Sequence, residues 1–194
     1  MDGSKKGAVG IGTLIIFIAM VLVAAIAAAV LINVSNILQQ RAMTTGKQAI
    51  AQVSGNLIIT GVTATTDAGL TNVVNMTVFL TAAAGAGRID LSQLVVRIGN
   101  NVNQSTMTYS NITTQAGVYF NISEIRDPTN LFTPSSPVID GSSLVQVNVI
   151  PASTIYFPTR TQYHLEFIPE TGAPTHIDGV MPSSYSTQLQ NIYP

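Results

Sequence analysis

At 194 residues the chain has room for one ordinary domain and one further element, and it can bury a core without covalent staples. Its formal charge is −1 and only 9% of its residues are charged, so it lacks the clustered Lys and Arg that phosphate binding needs, and a nucleic-acid partner is excluded. Cysteine is absent, which removes disulfide frameworks, thiolate metal sites and cysteine nucleophiles.

The chain has two unlike parts. Residues 1–7, MDGSKKG, form a short polar leader with Lys5 and Lys6 beside Gly7. An uncharged apolar run follows from Ala8 to Ile32. As a helix it spans roughly 37 Å, enough to cross a hydrocarbon layer about 30 Å thick with some tilt. Lys5 and Lys6 hold the N-terminus on the cytoplasmic side, which places everything after Ile32 outside. A secretory signal has a shorter apolar core and a small-residue cleavage site after it. Here the basic pair and the glycine come first, so a cut between Gly7 and Ala8 removes the leader and keeps the helix.

That helix is built to pack. Ala24 with Ala28, and Ala25 with Ala29, set small residues at four-residue spacing, and Gly10 and Gly12 extend this character toward the start. Between Asn33 and Val53 there is no proline, and Leu38, Ala42, Ala49, Ile50 and Val53 recur at helical spacing, so the helix is expected to run on. Ser54, Gly55 and Asn56 then end it. Gly46 within it costs about 1 kcal/mol relative to alanine.

From Leu57 the pattern changes to alternation with frequent turn residues, which predicts antiparallel strands. Val74, Met76, Val78 and Leu80 share one face of Val73–Leu80, opposite Asn75 and Thr77. Val118, Phe120 and Ile122 oppose Tyr119 and Asn121. Further strands are expected at Leu57–Thr65, Leu94–Ile98, Leu144–Ile150 and Tyr163–Ile168. The predicted fold class is α+β: leader 1–7, helix 8–54, and an antiparallel, immunoglobulin-like β-sandwich over 55–194.

Five N-x-Ser/Thr sequons occur, at Asn33, Asn75, Asn103, Asn111 and Asn121. Asn75 and Asn121 fall on the polar faces of their strands, and Asn103 and Asn111 in polar loop-like sequence, so these four are the candidate glycan acceptors of an exported domain. Asn33 ends the apolar helix, where helix packing leaves little room for a sugar. His164 alternates with Leu165 and Phe167 and reads as an exposed strand residue. His176 lies in a Pro/Gly-rich stretch two residues before Asp178, and no ligand set is evident around either histidine, so no metal site is predicted. Asp67, Asp90, Asp127 and Asp140 leave calcium binding open as an alternative, but they lack EF-hand spacing and read by default as solvated loop carboxylates. No catalytic motif, phosphate-cradling loop or cofactor site is found.

The run KKG followed by AVGIGTLIIFIAMVLVAAIAAAVLIN closely resembles the N-terminus of archaellins, whose class III signal is cut by a prepilin-type peptidase after a basic-basic-glycine motif. FTPSSPVIDG at 132–141, PETGAP at 169–174 and MPSSY at 181–185 are similar to the carboxyl-terminal segments of the same family. The fifth residue after the cut is Gly12, where bacterial type IV pilins carry a glutamate, so pairing of that carboxylate with a neighbour's amino terminus does not apply here. The resemblance implies a non-enzymatic homopolymer, an extracellular helical filament for swimming and surface attachment. It also implies a membrane-inserted precursor and, as partners, the peptidase, an export ATPase, a membrane platform and the N-glycosylation machinery. Two alternatives use much of the same sequence: a non-rotating adhesive pilin, and a monomeric membrane-anchored binding module.

Overall fold

The computed structural model describes residues 3–112 and 115–193, and of 3–6 and 8 the backbone alone. The chain divides into two compact units, residues 1–48 and 49–194.

Helix α1 runs unbroken from Gly3 to Ser54, about 78 Å at the standard rise. Gly46 does not interrupt it. Its end is built by three residues. The Ser54 hydroxyl donates back to Ile50 O (2.8 Å), Gly55 N donates to Ala51 O (2.8 Å), and Asn56 Nδ2 donates to Val53 O (3.2 Å). Asn56 Oδ1 also accepts from Ala173 N (3.1 Å). Gly172 stands against Gly55 with φ of 114°, and a Cβ there would lie 1.8 Å from Gly55 O. Only glycine fits that contact, which gives the PETGAP segment a structural reason: it clasps the last turn of the helix where the β domain begins.

Twelve strands follow among the described residues: β1 Leu57–Thr66, β2 Val73–Ala82, β3 Ile89–Asp90, β4 Val95–Gly99, β5 Gln104–Tyr109, β6 Tyr119–Arg126, β7 Phe132–Thr133, β8 Ser136–Ile139, β9 Leu144–Val149, β10 Gln162–Ile168, β11 Thr175–Val180 and β12 Leu189–Tyr193. Nine are hydrogen-bonded in the order β11-β10-β4-β5-β6-β9-β2-β1-β12, and β3-β8-β7 form a small second sheet. All pairs in the large sheet are antiparallel except β5 with β6, which is parallel. The layers of the expected sandwich are thus two halves of one sheet joined through that parallel pair. Its far ends approach each other. Thr175 Oγ1 donates to Leu57 O (2.8 Å), and the Tyr163 hydroxyl donates to Ile192 O (3.3 Å).

Both halves feed one core. Val62, Met76, Val78, Ile122 and Val147 come from one side, and Val96, Ile98, Met107, Leu165 and Phe167 from the other. Alternation delivers these side chains inward, as period-two patterning requires. Two expectations need correction. Val74 is not on the core face: the β1–β2 register slips between Thr65 and Thr66, so Val73 turns inward at 5% exposure and Val74 outward at 46%. Such a bulge reverses the facing of every residue beyond it. Val118 is also exposed, because it lies in a turn closed by Tyr119 N donating to Gln115 O (3.0 Å), ahead of the strand that buries Phe120 and Ile122.

The loop carboxylates are turn builders. Asp67 accepts from Thr71 N (2.7 Å) and Asn72 N (3.2 Å), and Asp90 from Ser92 N (2.8 Å). Asp127 is buried, which its reading as a solvated side chain missed. It accepts from Phe132 N (2.7 Å) and from the Thr129 hydroxyl (2.8 Å), while Asp140 accepts from the hydroxyls of Ser142 (2.7 Å) and Ser143 (2.8 Å). The Thr129 and Ser143 hydroxyls stand within hydrogen-bond reach of both carboxylates.

These donors favour the charged forms. The Phe132 amide holds the Asp127 carboxyl below its ordinary value, and the Ser142 and Ser143 hydroxyls hold Asp140 far below it. A depressed folded-state value stabilises the fold fully above the unfolded value near 3.8, and that contribution is lost as pH falls through the folded one. Unfolding of the detergent-solubilised chain should therefore be insensitive to pH between about 7 and 5 and become easier below about 4. In Asp140→Asn the neutral-pH stability should drop and the acid limb flatten; an unchanged acid limb contradicts this assignment.

Candidate functional site

The largest unsatisfied feature of the molecule is the surface of α1. Every large apolar side chain from Val9 to Val53 is exposed, including Ile16 at 62%, Leu31 at 70% and Val53 at 78%. From Val9 to Ile32 the helix is apolar around its whole circumference, unlike the one-sided stripe of a helix that packs on its own domain, whereas beyond Ile32 it also carries polar side chains such as Gln39, Gln40, Arg41, Lys47 and Gln48. Such a surface needs lipid or other apolar helices as its surroundings.

The small residues lie open along it. Nothing stands within 4 Å of where a Cβ would project from Gly10 or Gly12. Ala24, Ala25, Ala28 and Ala29 are exposed, and Ala24 shares a shallow apolar face with Ile16, Met20, Val23 and Ala27. These positions let another backbone approach closely, which is how helices gain contact when the surroundings are themselves apolar. Of the processing residues, Gly7 is exposed in the helix, whereas the side chains of Lys5, Lys6 and Ala8 lie outside the described set.

The sequon asparagines differ in availability. Asn75 is half-buried, and its Oδ1 is buried without a hydrogen-bond partner. Asn103 is exposed, but its Nδ2 donates to Thr154 O (2.9 Å), tying it to the neighbouring loop. Asn121 is half-buried on the outward face of β6 and accepts a long hydrogen bond from Ser123, the hydroxyl of its own sequon (3.4 Å). Asn111 is exposed and lines an open cleft together with Asn121, Ser123 and Glu124, while the Thr113 of its sequon lies outside the described residues. Asn33 is exposed on the helix. The structure thus brings Asn111 and Asn121 together and leaves Asn75 and Asn103 apart from them.

One grouping was missed in the sequence. His164 on β10 is half-buried rather than exposed, and the β10–β11 register sets Asp178 directly opposite it, with Nδ1 against the carboxylate oxygen. The ring of His176 stacks beside that of His164, with centroids 6.4 Å apart. The alternation of His176 and Asp178 was the available signal; pairing with β10 was not legible from spacing.

Comparison with known proteins agrees with this architecture. Residues 7–179 match the family model described as archaeal-type flagellin. Flagellin B1 of Methanocaldococcus jannaschii is 40% identical, with 94% of this chain and 93% of that protein covered. Flagellin B1 of Methanococcus voltae is 34% identical, covering 96% and 94%. Among solved structures, the archaeal flagellum of Methanospirillum hungatei superposes with a TM-score of 0.71 at 19% identity, covering 95% of this chain and 99% of that one. The crystal structure of flagellin FlaB1 from Methanocaldococcus jannaschii gives 0.65 at 21% identity, over 72% and 97%.

The exposed helix carries a direct consequence for solution behaviour. The full chain should remain dispersed in detergent, and dilution below the critical micelle concentration should drive it into multimers detectable by light scattering. A chain that stays monomeric in detergent-free buffer contradicts the reading of α1 as an unpartnered surface.

Proposed function

The chain belongs to the archaeal-type flagellin family and is a structural subunit of the archaeal flagellar filament, not an enzyme; we propose that it reaches the filament as a processed, glycosylated subunit drawn from the membrane. The observation that carries this reading is the all-round exposure of α1 beside a β domain with its own complete core.

In the precursor, residues 8–32 span the membrane with Lys5 and Lys6 on the cytoplasmic side. A prepilin-type peptidase cuts between Gly7 and Ala8; Gly7 presents a peptide carbonyl unhindered by a side chain, and the family match begins at that residue. An export ATPase and a membrane platform then transfer the subunit to the filament base. The transfer exchanges one apolar surrounding for another, so close packing at Gly10, Gly12, Ala24, Ala25, Ala28 and Ala29 decides its sign. Once no lipid remains, loss of a subunit would expose the helix to water at about 25 cal/mol per Å² of apolar surface, which makes the polymer durable. Heterologous contacts that do not close give its open helical form. The β domains face outward, and Asn111 and Asn121 are the favoured glycan acceptors, ahead of Asn103, whose Nδ2 is tied to Thr154 O, and Asn75, whose Oδ1 is buried. Family membership decides against the anchored module and the adhesive pilin.

Intact-mass and N-terminal peptide analysis of filaments sheared from cells tests this account. The predicted subunit begins at Ala8 and carries added mass on Asn111 or Asn121. Absence of the chain from the filaments, with the leader retained in the membrane, overturns it. In Ala25→Phe, bulk on the packing face should cut filament yield about tenfold or more, equivalent to about 1.4 kcal/mol per subunit, with the processed chain accumulating in the membrane. Normal filaments from this variant would place the contact elsewhere.

A further inference from the structure

We propose that, in the filament, the Glu170 carboxylate of one subunit receives the Arg41 guanidinium from the α1 helix of an adjacent copy. The inference rests on the reading of the chain as a filament subunit and adds to it a contact that sets the register between copies.

The charges of the chain are segregated. Between Ala8 and Ser54 there are two basic residues, Arg41 and Lys47, and no Asp or Glu, whereas the chain beyond Ser54 carries eight acidic and four basic residues. Arg41 is exposed on a helix face with Ile37, Gln40, Thr44 and Thr45, and its guanidinium makes no ion pair or hydrogen bond among the described residues. Identical helices packed side by side offer it apolar surface or another Arg41, never an acid. A guanidinium taken out of water without a counter-charge is costly, so a bundle that covers this stretch needs a carboxylate from a β domain. Lys47 lies nearer the helix end, where its flexible stem keeps the ammonium in water.

The β domain supplies that carboxylate. Glu166 is engaged by Arg97 and Asp178 by His164. Asp67, Asp90, Asp127 and Asp140 accept from their own turns. Glu124 and Glu170 have no side-chain partner among the described residues. Glu124 lines the cleft of Asn111 and Asn121, the side proposed for glycans. Glu170 is exposed at the start of the clasp, where Thr171 O and Gly172 stand against Gly55 at the end of α1. The last turn of α1 has no basic residue of its own, so the negative end of the helix dipole adds to the attraction for a cation there.

Arg41 precedes Ser54 by about 20 Å of helical rise. Copies whose helices run parallel and are offset by about that distance bring the clasp of one level with Arg41 of the next. The contact is heterologous, Glu170 on one side and Arg41 on the other, so it propagates along an open polymer instead of closing a dimer. A planar guanidinium meets a carboxylate bidentately, which fixes orientation as well as offset.

Charge exchange in cells tests the contact. Arg41→Glu and Glu170→Arg should each cut the yield of sheared filaments about tenfold or more, because each sets like charges against each other, and the double exchange should restore most of it. Lys47→Gln should stay close to the parent. Thermal unfolding of the detergent-solubilised variants, matching the parent's, shows that they fold. In intact Arg41→Lys filaments a carbodiimide should join position 41 to Glu170 and give covalent multimers on denaturing gels, which a bond within one chain would not. A double exchange no better than the single variants, or filaments in which Glu170 is not linked to position 41, overturns the proposal. Loss of the processed chain from the membrane in Arg41→Glu would assign the guanidinium to anionic lipid headgroups and overturn it as well. The presence of the parent chain in filaments is read separately, so each of these failures leaves the filament role intact.

Discussion

A helix that no single copy of the chain can bury sets the terms for the rest of the molecule. Each exposed Val, Leu, Ile, Phe or Met on α1 forgoes about 1.5–3 kcal/mol of burial, and from Val9 to Ile32 these residues recur without a polar face to turn toward water. Lipid would satisfy that surface, and so would identical helices. The uncharged run between Lys6 and Arg41 suits both environments, because it carries no ionised group that either would have to accommodate. On the proposed reading, small residues at Gly10, Gly12 and the alanine pairs would favour the helices over lipid, because they allow close backbone contact that lipid tails cannot match.

The β domain answers the opposite requirement. It must be stable before, during and after assembly, so its core is complete within one copy. Its large sheet wraps until β11 approaches β1 and Tyr163 reaches β12, which shelters sheet ends that would otherwise offer free edges. The bulges at Thr60 and Val74 serve that curvature by adding local twist. With few charges on the surface, electrostatic order is concentrated in particular places: the Asp127 and Asp140 turn, and the Arg97, Glu166, His164 and Asp178 face. The junction at Gly55 and Gly172 fastens the last helical turn to this domain by close backbone contact, helped by the Asn56 side chain, which accepts from Ala173 N.

Much of this was legible in the sequence because it rests on local rules. The extent of α1 follows from an apolar run without proline, and its end from Ser54, Gly55 and Asn56. The buried sides of β2 beyond Asn75, and of β6, β9 and β10, follow from alternation. What escaped depends on distant pairing. Val74 was assigned to the wrong face because a bulge cannot be read from one strand alone, and Val118 because the turn at Gln115 starts the strand later than the pattern does. The short strands β7, β8, β11 and β12 carry weak alternation and exist through their partners. Asp127 looked solvated because its donors, Phe132 N and Ser143 Oγ, are brought to it by the turn. For the site, the small residues of α1 and the sequons were visible as motifs, but the differing availability of the sequon asparagines and the meeting of the two histidines required the fold.

The absence of cysteine allows the central claim to be tested with a single introduced thiol. Ala25→Cys and Val102→Cys place one label site on the helix and one on an exposed loop of the β domain. In intact filaments a water-soluble maleimide should modify Val102→Cys readily and leave Ala25→Cys unmodified until the filament is dissociated in detergent. Equal modification of both thiols in intact filaments would show the helix open to water in the polymer and would contradict its burial among neighbouring copies.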